Sequence, residues 1–143
     1  MTYLLDVSVL IALFDREHVN CRLTRDWFKR LDGDSWATCP ITENGVLRIM
    51  GSRSYPGSPG SPAAVAVFLE ALIARGGHVF WPDAISLRDA TVVAPDRLLT
   101  SAQLTDTYLL ALARANDGQL ATLDRRIATS AVPDGARYLH LVA

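Results

Sequence analysis

Four acidic residues stand at positions that a solvated surface does not explain. Asp6 interrupts the otherwise apolar run "LLDVSVLI", Glu43 and Asp106 each fall in the first turn of a predicted helix, and Asp124 directly follows the predicted strand "QLATL". Burying an isolated carboxylate costs several kcal/mol even after the surroundings relax. Something must therefore offset the charge of Asp6, and the need is greater if the four acids share one site, because their carboxylates repel each other.

A divalent cation would neutralise such a group of carboxylates. Oxygen ligands without histidine or cysteine at ligand spacing favour Mg²⁺ or Mn²⁺ over Zn²⁺, and the pair His18-x-x-Cys21 has no second pair that would complete a zinc site. Two such ions can activate a water molecule and stabilise the leaving oxygen of an in-line displacement at phosphorus. The chain has neither a P-loop nor a Gly-x-Ser-x-Gly nucleophile elbow. We therefore predict phosphodiester hydrolysis by metal-activated water.

Each acid also has a simpler explanation. Glu43 and Asp106 could be helix N-terminal acids that interact with the helix dipole, an effect worth about 0.3–1 kcal/mol each. Asp6 could cap a helix, and Asp124 could open the turn "DRRIA". Four such coincidences at one edge of a sheet are less plausible than one site.

Strand-like and helix-like segments alternate along the chain, and these elements would position the acids. Five short apolar segments favour strands: "YLLDV", "SWATC", "HVFW", "QLATL" and "YLHLV". Six segments are predicted to be helical: Ser8 to Phe14 with Ser8 as its cap, His18 to Leu31, a helix that opens at Thr42, Val65 to Ile73, Ile85 to Thr91, and "TDTYLLALARAND". The Gly-, Ser- and Pro-rich segment 51–62 is predicted to be a mobile surface loop. The alternation predicts an α/β sandwich around a central, mostly parallel β-sheet.

This fold class predicts where the four acids meet. Asp6 and Asp124 come at the carboxyl ends of predicted strands, and Glu43 and Asp106 come at the amino ends of predicted helices. In an open α/β sheet these ends border one crevice, which is where ligands bind. His78 and His140 fall within predicted strands, and we expect both to be structural.

Length and composition indicate which general class of protein this chain belongs to. The 143 residues fit a single domain, 1–143, and carry a formal net charge of −1, so the molecule as a whole is not a polycation that attracts nucleic acid. No apolar run approaches the roughly 18 residues of a membrane span, and no basic segment precedes an apolar stretch as in a signal peptide. Only two cysteines are present, which suits a reducing cytoplasm.

Three sequence blocks together resemble the PIN-domain ribonucleases, and within them the VapC toxins of prokaryotic type II toxin–antitoxin systems. They are "LLDVSVLIALFD", "CPITENGVLRI" and "LTDTYLLALARANDGQLATLDRRI". The resemblance extends over essentially the whole chain, with the blocks in the family's order and spacing. One departure is that relatives often carry a second histidine where Cys21 stands. This position lies outside the four acids and affects no expected catalytic role.

The resemblance implies a role for each site residue. Asp6 and Asp106 would be the primary Mg²⁺ ligands, with Mn²⁺ as a possible substitute, and Glu43 and Asp124 would complete the cluster directly or through water. Two hydroxyl residues, Ser8 and Thr122, would position water or brace the carboxylates. Four arginines are candidates for RNA phosphate contacts: Arg48, Arg53, Arg125 and Arg126. The family's partners would be an RNA substrate, a cognate VapB-type antitoxin and a second copy of the chain in a homodimer.

Other classes of protein could also use these acids, and each would need its own sequence features. A degenerate PIN domain would only bind RNA or protein, and a non-toxin phosphodiesterase would share the metal chemistry. A receiver-type domain would need adjacent acids near the first strand and a late lysine, and a haloacid-dehalogenase-like enzyme would need Asp-x-Asp where Val7 and Ser8 follow Asp6. An interaction module could use an acidic pocket to hold an arginine-bearing partner. Turnover of RNA with Mg²⁺ separates these possibilities.

Overall fold

The computed structural model describes all residues, 1–143, as a five-stranded sheet flanked by five main helices. The strands are β1 (Thr2–Leu5), β2 (Ser35–Thr38), β3 (His78–Phe80), β4 (Gln119–Thr122) and β5 (Leu139–Leu141). The helices are α1 (Val7–Phe14), α2 (Cys21–Lys29), α3 (Pro40–Met50), α4 (Pro62–Ile73) and α5 (Leu104–Ala115). The strand order is β3-β2-β1-β4-β5, and every neighbouring pair is parallel. The predicted α/β sandwich with a mostly parallel sheet is confirmed.

Helices pack on both faces of the sheet. Successive side chains of a strand point to opposite faces, so each inner strand contributes to two cores. In β1, Leu5 joins the core that the sheet forms with α1 to α4, and Leu4 joins the core that it forms with α5. The second core also includes Trp81 and Val93 from the segment after β3. Burial on both faces explains why the inner strands β1, β2 and β4 lack an apolar–polar alternation, whereas the edge strands β3 and β5 are partly exposed.

Several predicted boundaries need correction. Asp6, rather than Ser8, caps α1, since its side chain accepts a hydrogen bond from the backbone N–H of Val7. Helix α3 begins at Pro40, two residues before Thr42, because proline is well tolerated in the first turn of a helix. Helix α2 extends from Cys21 to Lys29, so it is shorter at both ends than the predicted helix from His18 to Leu31.

The predicted helix from Ile85 to Thr91 is wrong, and turns occupy this segment instead. Ser86 Oγ accepts a hydrogen bond from the backbone N–H of Arg88, and Asp89 Oδ1 accepts one from that of Thr91. Such side chain–backbone bonds satisfy the local backbone without a helix, and the apolar spacing alone could not reveal them. Short 3₁₀ turns follow at Pro95–Arg97 and Ser101–Gln103.

Residues 51–61 of the predicted loop 51–62 form a loop, whereas Pro62 begins α4. Several contacts fasten this loop to the helices. The Tyr55 hydroxyl donates a hydrogen bond to the carboxylate of Asp15 at the end of α1, and Ser58 Oγ donates to the Met50 carbonyl. Burial and the neighbouring Asp15 raise the pKa of Tyr55 to about 12, so Tyr55 keeps its proton at neutral pH. No helix of the protein is both long and apolar enough to cross a membrane.

Candidate metal-binding active site

The carboxyl ends of β1 and β4 lie side by side and bring Asp6 next to Thr122. The two strands pair in parallel with Leu5 opposite Ala121, and the backbone N–H of Asp6 continues the ladder by donating to the Ala121 carbonyl at 3.0 Å. Asp6 is therefore the first residue past β1, where the chain turns into α1. This position explains why a carboxylate occurs inside an apolar run.

The Asp6 carboxylate is only 8% exposed and uses both of its oxygens. Oδ1 accepts from the backbone N–H of Val7 at 2.8 Å. Oδ2 accepts from Thr122 Oγ1 at 2.7 Å and from Ser8 Oγ at 3.4 Å. Burial raises the pKa of Asp6 and the charge of Asp124 raises it further, although the three hydrogen bonds lower it. The donors thus offset part of the desolvation cost, and the direction of the shift shows that they do not offset all of it.

Asp106 lies in the first turn of α5, with its carboxylate half-buried. Burial raises the pKa of Asp106, and the nearby negative charges of Asp6 and Asp124 raise it further. The three aspartates are therefore close enough for their charges to repel each other. Neither Asp6 nor Asp106 forms an ion pair with any cationic side chain, so their mutual repulsion has no counterion within the protein.

Thr122 links two of these aspartates through its hydroxyl group. It donates its proton to Asp6, as described above, and accepts a hydrogen bond from the backbone N–H of Asp124 at 3.0 Å. Ser8 makes a weaker bridge, since its Oγ accepts from the Leu123 N–H at 3.4 Å while donating to Asp6. The Asp124 carboxylate accepts from the backbone of Arg126 at 2.8 Å and forms an exposed ion pair with its guanidinium at 3.8 Å. An exposed pair of this kind contributes little to stability.

Glu43 belongs to a different hydrogen-bond network. Its Oε2 accepts a hydrogen bond from Thr38 Oγ1 at 2.7 Å, and the same Thr38 oxygen lies 2.7 Å from His78 Nε2. Burial lowers the pKa of His78, while the charges of Glu43 and Glu70 act to raise it. The structure therefore brings together three of the four predicted acids, Asp6, Asp106 and Asp124. The Glu43 carboxylate instead contacts Thr38, which in turn contacts His78.

The donor set around Asp6 fits a hard divalent cation. No group of three or more His, Cys, Asp or Glu side chains converges closely enough to enclose a metal ion. Mg²⁺, however, is usually held by one or two carboxylates and keeps several of its own waters. Two half-buried or buried carboxylates with raised pKa values and no counterion match that requirement, so Asp6 and Asp106 are the residues that would hold the ion.

Comparison with known proteins identifies the family. Residues 3–132 match the model of the PIN domain. Ribonuclease VapC44 of Mycobacterium tuberculosis is 43% identical over 145 residues, covering 99% of this chain and 98% of the relative. The chain belongs to the PIN domain family.

Further matches agree with this family. Ribonuclease VapC39 of Mycobacterium tuberculosis is 40% identical to this PIN domain, covering 92% of it and 94% of the relative. The resemblance to VapC proteins that the three sequence blocks indicate is thereby confirmed. The crystal structure of PAE2754 from Pyrobaculum aerophilum superimposes with a TM-score of 0.58 at 21% identity, covering 92% of this chain and 80% of that one. That likeness shows the shared fold.

The four candidate arginines of this PIN domain lie in different places. Arg125 and Arg126 line an open cavity of about 580 Å³ together with Ser8, His18 and Asp124. Arg48 lies on the exposed surface of α3, and Arg53 on the exposed loop after it. Arg125 and Arg126 thus share a cavity with Asp124, and the contact of all four arginines with RNA stays a prediction.

Sequence reasoning missed Thr38 and His78 as neighbours of Glu43 in this PIN domain. Thr38 ends β2, and His78 begins β3, which pairs with β2. Their contact depends on which strands are neighbours and on which face each side chain lies. Thr38 and Thr122 are both hydroxyl residues at the carboxyl ends of strands, but the family resemblance points only to Thr122.

Proposed function

We propose that this protein is a Mg²⁺-dependent endoribonuclease that hydrolyses RNA phosphodiester bonds, with Mn²⁺ as a possible substitute. The observation that carries the proposal is the group of three aspartates at the carboxyl edge of the sheet, in which the most buried two, Asp6 and Asp106, have no counterion. The near full-length likeness to proteins named ribonucleases supports RNA as the substrate. The catalytic set would be Asp6, Glu43, Asp106 and Asp124.

The protein's own groups would prepare the site for a bound ion. When bound, Mg²⁺ would lower the pKa of a coordinated water and stabilise charge at the reacting phosphate. Thr122 and Val7 hold the Asp6 carboxylate in one orientation, so little reorganisation is needed when the ion arrives. Asp124 is held in turn by its backbone bond to Thr122. Arg125 and Arg126 line the adjoining cavity and would bind a neighbouring phosphate of the RNA.

The direct test is cleavage of RNA by the purified protein with Mg²⁺, with Mn²⁺ and with chelator. Water as the nucleophile leaves a 5′-phosphate and a 3′-hydroxyl. A cyclic 2′,3′-phosphate product would instead mean that the RNA 2′-hydroxyl attacks, and cleavage undiminished by chelator would exclude the ion. Asp6→Asn should abolish cleavage, whereas the control Asp26→Asn, on the exposed face of α2, should not change it. RNA binding without any cleavage would favour the binding-module alternative.

The toxin role is a further part of the proposal. Relatives named VapC support a cognate VapB-type antitoxin as a partner, and we also propose that the protein forms a homodimer and acts in the cytoplasm, where Cys21 and Cys39 stay as thiols. Expressed alone, the wild type should arrest growth of its host, and Asp6→Asn should not. If both are harmless while the purified protein cuts RNA well, the toxin role is wrong and the nuclease remains. Size-exclusion chromatography with light scattering measures the oligomeric state.

A further inference from the structure

Thr38 connects Glu43 to His78 in a continuous hydrogen-bond chain. The Thr38 hydroxyl lies 2.7 Å from Glu43 Oε2 and 2.7 Å from His78 Nε2. Thr38 is completely buried at the end of β2, so no water competes for its hydroxyl. The chain thus joins strand β3, strand β2 and the first turn of α3.

Counting protons fixes the direction of this chain. A threonine hydroxyl has one proton to donate and lone pairs that accept. The carboxylate of Glu43 can only accept, so Thr38 donates its proton to Glu43. His78 must then donate from Nε2, which requires the imidazole tautomer with its proton on that nitrogen. The direction is His78 Nε2–H to Thr38 Oγ1–H to Glu43 Oε2.

The surroundings hold each member of the chain in place. The His78 ring packs against the Trp36 ring with centroids 4.6 Å apart, and the Trp36 indole N–H donates to the Gly76 carbonyl at 3.2 Å. Glutamate has three side-chain torsions, and ordering them costs conformational entropy. Glu43 Oε1 accepts no hydrogen bond from the protein and stays accessible to solvent. One oxygen of Glu43 is therefore fixed, and the other is available to water or substrate.

We propose that Thr38 and His78 are positioning residues that set the orientation of the Glu43 carboxylate for RNA hydrolysis. This inference rests on the proposed function, because it assigns Glu43 a part in that reaction. The alternative is that the chain only ties α3 to the sheet. The positioning role and the purely structural role predict different turnover rates when only the Thr38 hydroxyl is removed.

Thr38→Val removes the hydroxyl and keeps the shape of the side chain. Loss of a partner that orients a catalytic carboxylate should lower kcat by about 10-fold or more, with KM for RNA within about 2-fold of wild type. Thr38→Ser restores the hydroxyl and should recover most of the activity. The matched control is Thr24→Val in α2, where a fully buried threonine hydroxyl has no hydrogen-bond partner to lose. An unchanged kcat in Thr38→Val would overturn the inference.

Two pairs of variants separate positioning from a structural role. In a Glu43→Gln background, Thr38→Val should lower the remaining activity little, because the effects of substitutions at residues that act through one another are not additive. If Thr38→Val lowers activity as much in this background as in the wild type, the positioning role is contradicted. His78→Gln keeps an N–H donor and should retain more activity than His78→Leu. Equal losses in those two variants would remove His78 from the chain.

The hydrogen-bond chain can also be tested without turnover. Long-range ¹H–¹⁵N spectra of the wild type should show His78 as the tautomer protonated on Nε2, and Thr38→Val should shift that Nε2–H resonance while Thr24→Val should not. A wild-type His78 protonated on Nδ1 alone would overturn the inference. If the wild type cleaves no RNA with either ion, the proposed function fails, and these spectra still decide whether the chain exists.

Discussion

At the residue scale, two opposing effects act on the ionised form of the Asp6 carboxylate. It caps α1 and accepts three hydrogen bonds, which stabilise its ionised form. It is also almost fully buried beside Asp124, which destabilises the same form. A residue that served only as a helix cap would not need a second aspartate nearby. The remaining unfavourable energy is therefore available to favour the binding of a cation.

Thr122→Val tests how strongly the hydroxyl group supports Asp6. The variant keeps the side chain's shape but removes a charge-assisted hydrogen bond, so the free energy of unfolding should fall by about 1.5–3 kcal/mol at neutral pH. Urea denaturation measures the change. Thr107→Val is the control, because Thr107 is also fully buried and its hydroxyl has no partner. Equal destabilisation of the two variants would mean that the bond to Asp6 contributes nothing.

At the scale of secondary-structure elements, α1 packs on α3 where Gly45 lies against Val7. A Cβ atom at Gly45 would lie 2.5 Å from Val7 Cγ2, and the β-branched Val7 side chain has little rotamer freedom with which to move away. The glycine therefore lets the N-terminal turns of both helices approach closely. Those turns carry Asp6 and Glu43.

Gly45→Ala should therefore destabilise the protein. Alanine is the better helix former by about 1 kcal/mol, but overpacking against Val7 should outweigh this gain and give a net loss of about 1–3 kcal/mol in the free energy of unfolding. Urea melts of both single variants and of the double variant with Val7→Ala measure the coupling. The loss should shrink when Val7 is shortened. A simple stabilisation by Gly45→Ala would show that the helices separate at no cost.

The sequence predicts a strand or helix well where the spacing of its apolar residues is the main determinant of the structure. All five strands follow from short apolar runs, and α4 follows from the helical spacing of its apolar residues before Gly76 and Gly77. The segment Ile85 to Thr91 fails, since Ser86 and Asp89 replace helical hydrogen bonds with turns. The predicted start of α3 at Thr42 lies two residues late, because proline ends many elements but here is the first residue of the helix, at Pro40.

At the scale of the whole molecule, one rule predicts a shared crevice for Asp6, Glu43, Asp106 and Asp124, since the carboxyl ends of parallel strands share an edge with the amino ends of the following helices. In the structure, charge interactions connect Asp6, Asp106 and Asp124, whereas the Glu43 carboxylate accepts a hydrogen bond from Thr38. The Glu43 network could not be predicted, because it depends on β3 being the neighbour of β2 and on the face of the sheet that carries Thr38 and His78. Strand order and side-chain face are properties of the assembled sheet rather than of a local pattern.

The contribution of His140 to the stability of the molecule should fall as the pH drops below about 6.5. Burial lowers the pKa of His140, and the Trp27 indole N–H donates to its Nε2 at 3.0 Å, so the folded state holds it neutral. The unfolded chain takes up that proton near pH 6.5. The stability contributed by neutral His140 is thus fully present above about pH 6.5 and is lost as the pH falls towards the lower folded-state pKa.

His140→Gln measures this contribution, because glutamine accepts a hydrogen bond but does not titrate. Urea melts between about pH 7.5 and pH 5.5 should show a shallower pH dependence in the variant than in the wild type. Some dependence should remain, because burial lowers the pKa of His78 in the same direction. An identical pH dependence in both proteins would show that His140 is not held neutral by the fold.

The central claim is that Asp106 and Asp6 form a cation site, and thermal melts of wild type and Asp106→Asn with and without Mg²⁺ test it most directly. In chelator the variant should be as stable as wild type or slightly more stable, because it loses a repelling charge. Mg²⁺ should raise the wild-type Tm by mass action, roughly RT ln(1 + [L]/Kd) in free energy, and should raise that of the variant much less. A variant that is destabilised in chelator and still responds fully to Mg²⁺ would mean that Asp106 only serves the helix dipole, and it would contradict the claim.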